Sequence, residues 1–346
     1  MNITKLFGIE LPIVQAPMAG VQDHALAVAV SNAGGLGSLP CAMLDAKAMR
    51  AELAAIRAQT TRPFNVNFFC HTVPSPDAAR EAAWRATLAP YHAEYGIDAL
   101  TIVAGAGRLP FDADVAALLS EFRPPVVSFH FGLPAPELLA AVRACGAKIL
   151  SSATTVDEAR WLAARGVDAV IAQGIEAGGH RGLFLGDDVH TQIGTFALVP
   201  QIVRAVDVPV IAAGGIADAR GVAAALALGA AGVQVGTAYL LCPEATTSAV
   251  HRAALASEAA RVTALTNLFT GRPARGIVNR VMREIGPISA AAPAFPLAVA
   301  AIAPLRAKAE AQGRNDFSPL WAGQNTSGCK AVPAAKLTRE LVYRES

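Results

Sequence analysis

The sequence predicts an α/β protein whose larger part is a closed (β/α)8 barrel of the TIM type, with a smaller helical lid region attached. Three observations support this prediction. The chain has 346 residues, enough for one large barrel and an appended region, whereas two equal domains would be a tighter fit. Hydrophobic residues make up 53% of it and charged residues 16%, so a large buried core is expected. Short apolar runs alternate along the chain with alanine-rich segments of helical character.

Eight of the apolar runs are predicted to be the barrel strands. Most are uninterrupted rather than alternating, as expected for strands that are covered on both faces. Their alternation with helices indicates parallel pairing through right-handed crossovers. The runs cover residues 13–18, 36–39, 64–69, 126–131, 148–152, 168–173, 208–213 and 232–236. A ninth run, 99–103, is assigned to an insertion between the third and fourth strands, and an open doubly wound sheet is the alternative fold.

The segments after the strands carry helix signals. Asp218 is a predicted N-cap for a helix that passes through Leu226 and ends near Gly229. Residues 246–265 are alanine-rich and predicted to be helical. With the proline-broken stretch that follows, they are expected to cover one end of the barrel. The predicted division is a barrel of residues 1–240 and 320–346, and a helical lid of residues 241–319.

Charge and cysteine content exclude several classes of protein. The formal net charge of +2 leaves no basic stripe for nucleic acid. The five cysteines are scattered and no C-x-x-C pair occurs, so neither a disulfide framework nor a metal site is indicated. The apolar stretch 290–305 is broken by prolines, and residues 1–12 lack the apolar region of a signal peptide. We therefore expect a cytoplasmic protein, monomer or homodimer, that does not bind a membrane.

Two consecutive glycine turns predict a phosphate site. The seventh run leads into Gly214-Gly215 and the eighth into Gly236-Thr237. Barrel enzymes commonly hold a phosphate with the loops after strands seven and eight. Glycines let backbone N–H groups approach a dianion, and the Thr237 hydroxyl can add a donor. This pattern predicts a phosphate but does not distinguish FMN from a sugar phosphate.

Polar side chains stand at the ends of other predicted strands, where barrel enzymes place catalytic groups. Asn67, His130, Gln173 and His180 are the main ones. Asn67 and Gln173 could pair with the pyrimidine edge of an isoalloxazine ring, with the backbone around Met18 beside one face. The alternatives are a structural hydrogen bond for Asn67, a satisfied barrel-interior histidine for His130 and a solvated loop histidine for His180.

The motifs at these strand ends resemble those of the nitronate monooxygenase (2-nitropropane dioxygenase) family, in the same order. The matching segments read Q-A-P-M-A-G, F-N-V-N-F-F, S-F-H-F-G-L-P, Q-G-x-E-A-G-G-H-R-G, A-A-G-G-I-A and Q-V-G-T, with a return at P-L-W-A-G-Q. The resemblance implies His180 as the active-site histidine, with His130 facing the same pocket. It also implies FMN contacts from Met18, Asn67, Gln173, Gly178, Gly215, Gln234, Val235, Gly236 and Thr237.

The activity that the resemblance implies is oxidation of an alkyl nitronate, such as propionate 3-nitronate, to a carbonyl compound and nitrite. Electrons would pass from the nitronate to FMN and on to O2. His180 would hold the nitronate oxygens, and His130 would be a second donor. The alternatives are an NAD(P)H-dependent FMN reductase of enoyl thioesters, a flavin-free aldolase or isomerase, and a non-catalytic flavin-binding protein.

Four further residues receive structural predictions. Glu176 is expected to order its loop rather than act as a base, and Cys70 to be an inert thiol because no basic neighbour is evident. Arg272 and Arg275 are expected on a solvated surface, and the alternative is contact with the lid or with an anionic substrate.

Overall fold

The strands were assigned in a computed structural model that describes residues 2–98, 101–102 and 108–342. In chain order they are β1 (Ile13–Gln15), β2 (Gly37–Pro40), β3 (Phe64–Phe69), β4 (Val126–His130), β5 (Lys148–Ala153), β6 (Ala169–Gln173), β7 (Gly179–His180), β8 (Val210–Ala213), β9 (Gly232–Val235), β10 (Thr263–Thr266) and β11 (Ala274–Ile277).

Eight of these strands form one parallel sheet that closes into a barrel. Its order is β1-β9-β8-β6-β5-β4-β3-β2. Closure between the first and last strands is made by backbone hydrogen bonds, from Leu36 N to Ile13 O at 2.8 Å and from Gln15 N to Leu36 O at 2.9 Å. The predicted (β/α)8 barrel is therefore confirmed.

The strand bounds differ from the prediction at a few ends. Strand β1 stops at Gln15 because Pro17 has no N–H to donate to a neighbouring strand. Strand β4 stops before Phe131, whose φ of 70° takes the backbone out of the extended region. The ninth run, 99–103, falls largely outside the described residues, and Thr101 and Ile102 form no strand.

Helices cover the outside of the barrel. They are α1 (Ile3–Phe7), α2 (His24–Asn32), α3 (Ala46–Gln59), α4 (Ala78–Glu94), α5 (Ala113–Phe122), α6 (Pro136–Ala144), α7 (Val156–Ala164), α8 (Thr195–Ala205), α9 (Ala219–Ala227), α10 (Ala249–Leu255), α11 (Arg280–Glu284), α12 (Val299–Ala311) and α13 (Ala334–Glu340). Asp218 caps α9 through a 2.8 Å bond from Gly221 N, as predicted. Among the described residues, no helix is long and apolar enough to cross a membrane.

The main core lies between the strands and the surrounding helices, and a second apolar cluster fills the barrel interior. Helix α1 closes the amino-terminal end of the barrel. Its Ile3 is fully buried, and a Cβ on Gly232 would lie only 2.1 Å from the Ile3 Cδ1 atom. Because that end is filled, open space is left at the carboxyl ends of the strands.

The lid region contains a small antiparallel sheet, so the prediction of a helix over 246–265 is wrong. Helix α10 ends at Leu255, and residues 263–266 form β10, which pairs with β11. Val262, Thr263 and Thr266 are β-branched, and such side chains pack better on a sheet than on a helix. Strand β11 also pairs with β7, with Ala274 opposite His180. The lid sheet therefore takes in the loop that carries the predicted active-site histidine.

Candidate active site

A cavity lies at the carboxyl ends of the barrel strands. Its volume is about 1310 Å³, which includes the solvent-open space at its mouth. Barrel enzymes place their active sites at this end. The lid contributes His251 to the walls, and Trp321, which follows the lid in the chain, also lines the cavity. All but one of the predicted site residues line the cavity, namely Met18, Asn67, His130, Gln173, Gly178, His180, Gly215, Gln234, Gly236 and Thr237.

Val235 is the exception. Its side chain is 1% exposed and packs in the core between strands and helices. Successive side chains of a strand point to opposite faces, so Gln234 faces the cavity and Val235 faces away from it. The backbone oxygen of Val235 accepts a bond from Ala16 N at 2.8 Å. The predicted cofactor contact of Val235 is therefore left to its backbone, because its side chain is buried in the core.

Three loops meet at one end of the cavity through close approaches of their glycine backbones. Gly214 and Gly215 have φ angles of 117° and 73°, which favour glycine. A Cβ on Gly178 would lie 2.6 Å from Gly323 N, and one on Gly214 would lie 3.0 Å from Ala177 N. Backbone amides can therefore approach a ligand closely here, as a phosphate site requires.

The Thr237 hydroxyl completes this glycine cradle. Its oxygen accepts a bond from Gly323 N at 2.9 Å, which leaves the hydroxyl proton free for a ligand oxygen. Asn325 donates to Gly215 O at 2.9 Å and joins the two loops. Gly323 and Asn325 were not predicted as site residues, although the P-L-W-A-G-Q motif ends between them.

Amide groups of Gln234 and Asn67 also line the cavity. The Oε1 atom of Gln234 is buried and has no hydrogen-bond partner in the described part of the chain. Buried amide oxygens normally have a donor, so this atom indicates a ligand with an N–H or O–H group. Asn67 lines the same space, and its Nδ2 donates to the Ser128 oxygens at 3.0 and 3.2 Å. These groups fit the polar edge of a heteroaromatic ring.

The Met18 turn is held by Gln22, a residue that the sequence did not single out. The Gln22 Oε1 atom accepts bonds from Met18 N at 2.9 Å and from Gln15 Nε2 at 2.7 Å. Gln22 is 8% exposed. It therefore fixes the loop that borders the cavity after β1.

The backbone carbonyl of His180 is gripped by two side chains. Gln173 Nε2 donates to it at 3.0 Å and His130 Nε2 at 3.1 Å. The other end of Gln173 accepts a bond from Gly182 N at 2.8 Å. Since His130 Nε2 donates, its Nδ1 is the acceptor for the Ser152 hydroxyl at 3.0 Å. Gln173 and His130 therefore hold the His180 loop in place.

The His180 ring packs into an aromatic wall. The wall consists of Phe69, Phe131, Phe295 and Trp321, whose ring centroids lie 5.3 to 6.2 Å from that of His180. The His180 Nε2 atom lies 2.9 Å from Thr270 Oγ1 on the lid. The alternative of a solvated loop histidine is wrong.

Both histidines are neutral at pH 7. Burial lowers the pKa of His180 well below its usual value, and the positive charge of Arg108 lowers that pKa further. Burial likewise lowers the pKa of His130 to about 3. A neutral imidazole can donate one hydrogen bond and accept one, but it brings no charge to a bound anion.

The arginines near the site hold backbone carbonyls. Arg181 is fully buried and donates to the Gln173 oxygen at 2.6 Å. Arg275 is 5% exposed and donates to Ile175 O at 2.8 Å, while Arg272 stacks 4.0 Å over the Phe131 ring. The prediction of a solvated surface for Arg272 and Arg275 is wrong. Arg275 reaches from the lid to a carbonyl of the loop after β6, and Arg272 reaches from the lid to the aromatic wall.

Glu176 and Cys70 behave as predicted. Both Glu176 oxygens accept from Thr195 N, at 2.9 and 3.0 Å, so the carboxylate orders its loop. Burial raises the pKa of the Cys70 thiol, which favours an inert thiol. No group of three or more potential ligands that could hold a metal ion occurs in the described ranges.

The fold and the cavity define a cofactor-dependent (β/α)8-barrel enzyme. The glycine cradle can bind a phosphate, and the unpartnered Gln234 oxygen can accept a hydrogen bond from a ligand. The chain belongs to the nitronate monooxygenase family, whose model, described as Nitronate monooxygenase, matches residues 1–344. Members of this family are flavin-dependent enzymes that oxidise nitronates. The family prediction from the strand-end motifs is confirmed.

Relatives support the assignment along the whole chain. A nitronate monooxygenase of Pseudomonas aeruginosa is 46% identical over 344 residues, which is 99% of this chain and 98% of that protein. The crystal structure of nitroalkane oxidase from Streptomyces ansochromogenes superposes with a TM-score of 0.89 at 41% identity, covering 98% of this chain and 96% of that one. FabK from Thermotoga maritima superposes with a TM-score of 0.70 at 27% identity, covering 98% and 94%.

Proposed function

We propose that this protein uses FMN to oxidise small alkyl nitronates with O2, giving a carbonyl compound and nitrite. Propionate 3-nitronate is the proposed type of substrate. The observation that carries the proposal is a neutral His180, held by Thr270 in an aromatic wall beside a cavity with a glycine cradle.

The cavity residues fit FMN. Gly215, Gly236 and Thr237 would hold the phosphate through backbone amides and a free hydroxyl proton. The Oε1 atom of Gln234 would accept a hydrogen bond from the ring, which would give this buried oxygen the partner that it lacks. When bound, FMN supplies the electron transfer between the nitronate and O2.

The role of His180 is to hold the nitronate oxygens. Its Nδ1 atom has no partner among the described residues, while the Thr270 hydroxyl lies 2.9 Å from Nε2 and 3.4 Å from Arg272 O. The shorter contact favours donation from Thr270 to Nε2, which places the ring proton on Nδ1. That N–H can donate to a nitronate oxygen. Because the pKa of His180 is lowered, the ring is a weak base, so an anionic nitronate suits it better than a neutral nitroalkane.

His130 acts through His180 in this proposal. Both of its ring nitrogens are engaged, by Ser152 and by the His180 carbonyl. It therefore positions the His180 loop and has no free N–H with which to serve as a second donor to the nitronate.

Two rival functions make different predictions. A flavin-free aldolase would need a lysine or paired carboxylates in the cavity, and no Lys, Asp or Glu is among the described residues that line it. Lys148 instead pairs with Asp168 at 3.3 Å, at the opposite end of the barrel strands. An enoyl-thioester reductase would bleach its flavin rapidly when mixed anaerobically with NADH.

The experiment is oxygen uptake and nitrite release on addition of propionate 3-nitronate. His180→Asn removes the ring while keeping a polar side chain, and kcat/KM should fall about 10² to 10³-fold, as when one preorganised donor is removed. His190→Asn is the matched control, because His190 is exposed and is not among the residues that line the cavity. Absence of oxygen uptake by the wild-type protein would refute the proposed function.

A further inference from the structure

Arg108 is a cationic side chain in the wall of the cavity, and it has no role in the proposed oxidation of the nitronate. Of the described residues that line the cavity, it is the one that carries a formal charge at neutral pH. The lining histidines His130, His180 and His251 are neutral because burial lowers their pKa values. A substrate anion that enters this cavity therefore meets one formally charged side chain among the described lining residues.

The backbone of Arg108 is anchored at the end of β3. His71 Nε2 donates to Arg108 O at 2.9 Å, and Phe111 N donates to Phe69 O at 2.8 Å. Phe111 is buried and packs edge-on against Phe68 with a centroid distance of 5.0 Å. These contacts hold the arginine at the cavity, so its position does not depend on a side-chain partner.

The guanidinium group of Arg108 has no carboxylate partner in the parts of the chain that the structure describes. Its contacts are the Met43 sulfur at 3.7 Å and the face of the Phe295 ring at 5.8 Å. The neighbouring residues 103–107, which lie outside the described ranges, contain no Asp or Glu in the sequence. Partial burial without a counter-ion, together with the like charge of Arg306, lowers the pKa of Arg108.

A partly desolvated guanidinium without an ion pair is costly, and a ligand carboxylate would relieve that cost. Its planar fork matches the two oxygens of a carboxylate. Arg108 and His180 both contact the Phe295 ring. The Arg108 Cζ atom lies 5.8 Å from the centre of that ring, and the centre of the His180 ring lies 5.3 Å from it. A short substrate can therefore place one anionic group at His180 and a second at Arg108.

We propose that Arg108 binds a carboxylate of the substrate, so that the enzyme selects nitronates that carry a second anionic group. This inference rests on the proposed function. It assigns the nitronate end of the substrate to His180 and the carboxylate end to Arg108. Selection then comes from a charge-assisted contact that an alkyl nitronate cannot make.

The test compares propionate 3-nitronate with propyl-1-nitronate, which has the same chain length but no carboxylate. In wild-type enzyme the ratio of the two kcat/KM values should favour the carboxylated substrate. In Arg108→Gln this ratio should fall about 10- to 100-fold, mainly through KM, as expected for loss of a hydrogen bond to a charged group. Arg108→Lys keeps the charge without the fork and should be intermediate.

Arg306→Gln is the matched control. It removes a nearby positive charge that pairs with Glu310 at 2.8 Å and does not line the cavity. Its substrate ratio should equal that of the wild type. A second readout needs no turnover: propionate should perturb the flavin absorption of wild-type enzyme at lower concentration than propionamide, and this preference should disappear in Arg108→Gln.

The outcomes separate the two proposals. If the wild type oxidises neither nitronate, the proposed function fails, while the propionate titration still tests the anion site. If it oxidises both and Arg108→Gln leaves their ratio unchanged, or lowers both kcat/KM values equally, the inference about Arg108 is overturned and the function stands.

Discussion

Replacing Gln173 by Met tests whether this amide holds the His180 loop or binds the cofactor. Gln173 is 8% exposed, donates to His180 O at 3.0 Å and accepts from Gly182 N at 2.8 Å. Methionine has a similar length and shape but neither hydrogen-bonding group. The substitution therefore removes two hydrogen bonds and creates little empty space.

The two lost bonds differ in cost. Gly182 N is buried and would have no partner, which costs about 1–3 kcal/mol, whereas the His180 oxygen keeps its bond from His130 and loses about 1 kcal/mol. We therefore expect the free energy of unfolding to fall by about 2–4 kcal/mol. Because the His180 loop also loosens, kcat/KM should fall at least about tenfold.

Urea unfolding gives the change in stability, and fluorescence titration of the apoprotein with FMN gives the cofactor affinity. Gln201→Met is the matched control, since Gln201 is exposed on α8, and its effect should stay within about 0.5 kcal/mol. An unchanged unfolding free energy combined with a tenfold loss of FMN affinity would refute the reasoning. Gln173 would then be a cofactor ligand, as the sequence first indicated.

Two further predictions follow from the site. The pKa of His130 is about 3 when folded, so the unfolded chain binds the proton more tightly and stability falls as pH drops below about 6.5. His130→Gln should reduce the slope of unfolding free energy against pH between pH 6 and 4 by about 1.4 kcal/mol per unit, and an unchanged slope in urea titrations would contradict this. Gly178→Ala would bring a Cβ within 2.6 Å of Gly323 N and should cost about 1–3 kcal/mol in thermal unfolding, with weaker FMN retention. Gly186→Ala is its control, because a Cβ there meets nothing within 4 Å; equal losses in both variants would count against the close approach.

Two predictions from the sequence are wrong for residues of the lid, near its contact with the barrel. Arg275 was expected in solvent because arginines are mostly exposed, yet it donates to Ile175 O, a carbonyl 100 positions earlier in the chain. The segment 246–265 was expected to be a helix because it is rich in alanine, yet β10 pairs with β11 inside the lid sheet. The first error concerns a partner far away in the chain, and the second a pairing with the neighbouring strand β11.

The sequence also could not show how His180 is held. His180 bonds to Thr270 and packs against Phe295, both from the lid, and it packs against Trp321, which follows the lid in the chain. The E-A-G-G-H-R-G motif identified the histidine but contained none of these partners. Whether the ring was solvated or enclosed therefore depended on packing between segments about 90 to 140 residues apart.

By itself, the sequence determined the barrel, its strands and the glycine turns that would grip a phosphate. These features follow from local periodicity and backbone preference, which act over a few residues. Only the tertiary structure decided that His180 and His130 are neutral, that Val235 faces the core and that Arg108 meets no carboxylate of the described residues at the cavity. Burial and charge pairing depend on every group that packs around a side chain, and most of those groups come from distant parts of the chain.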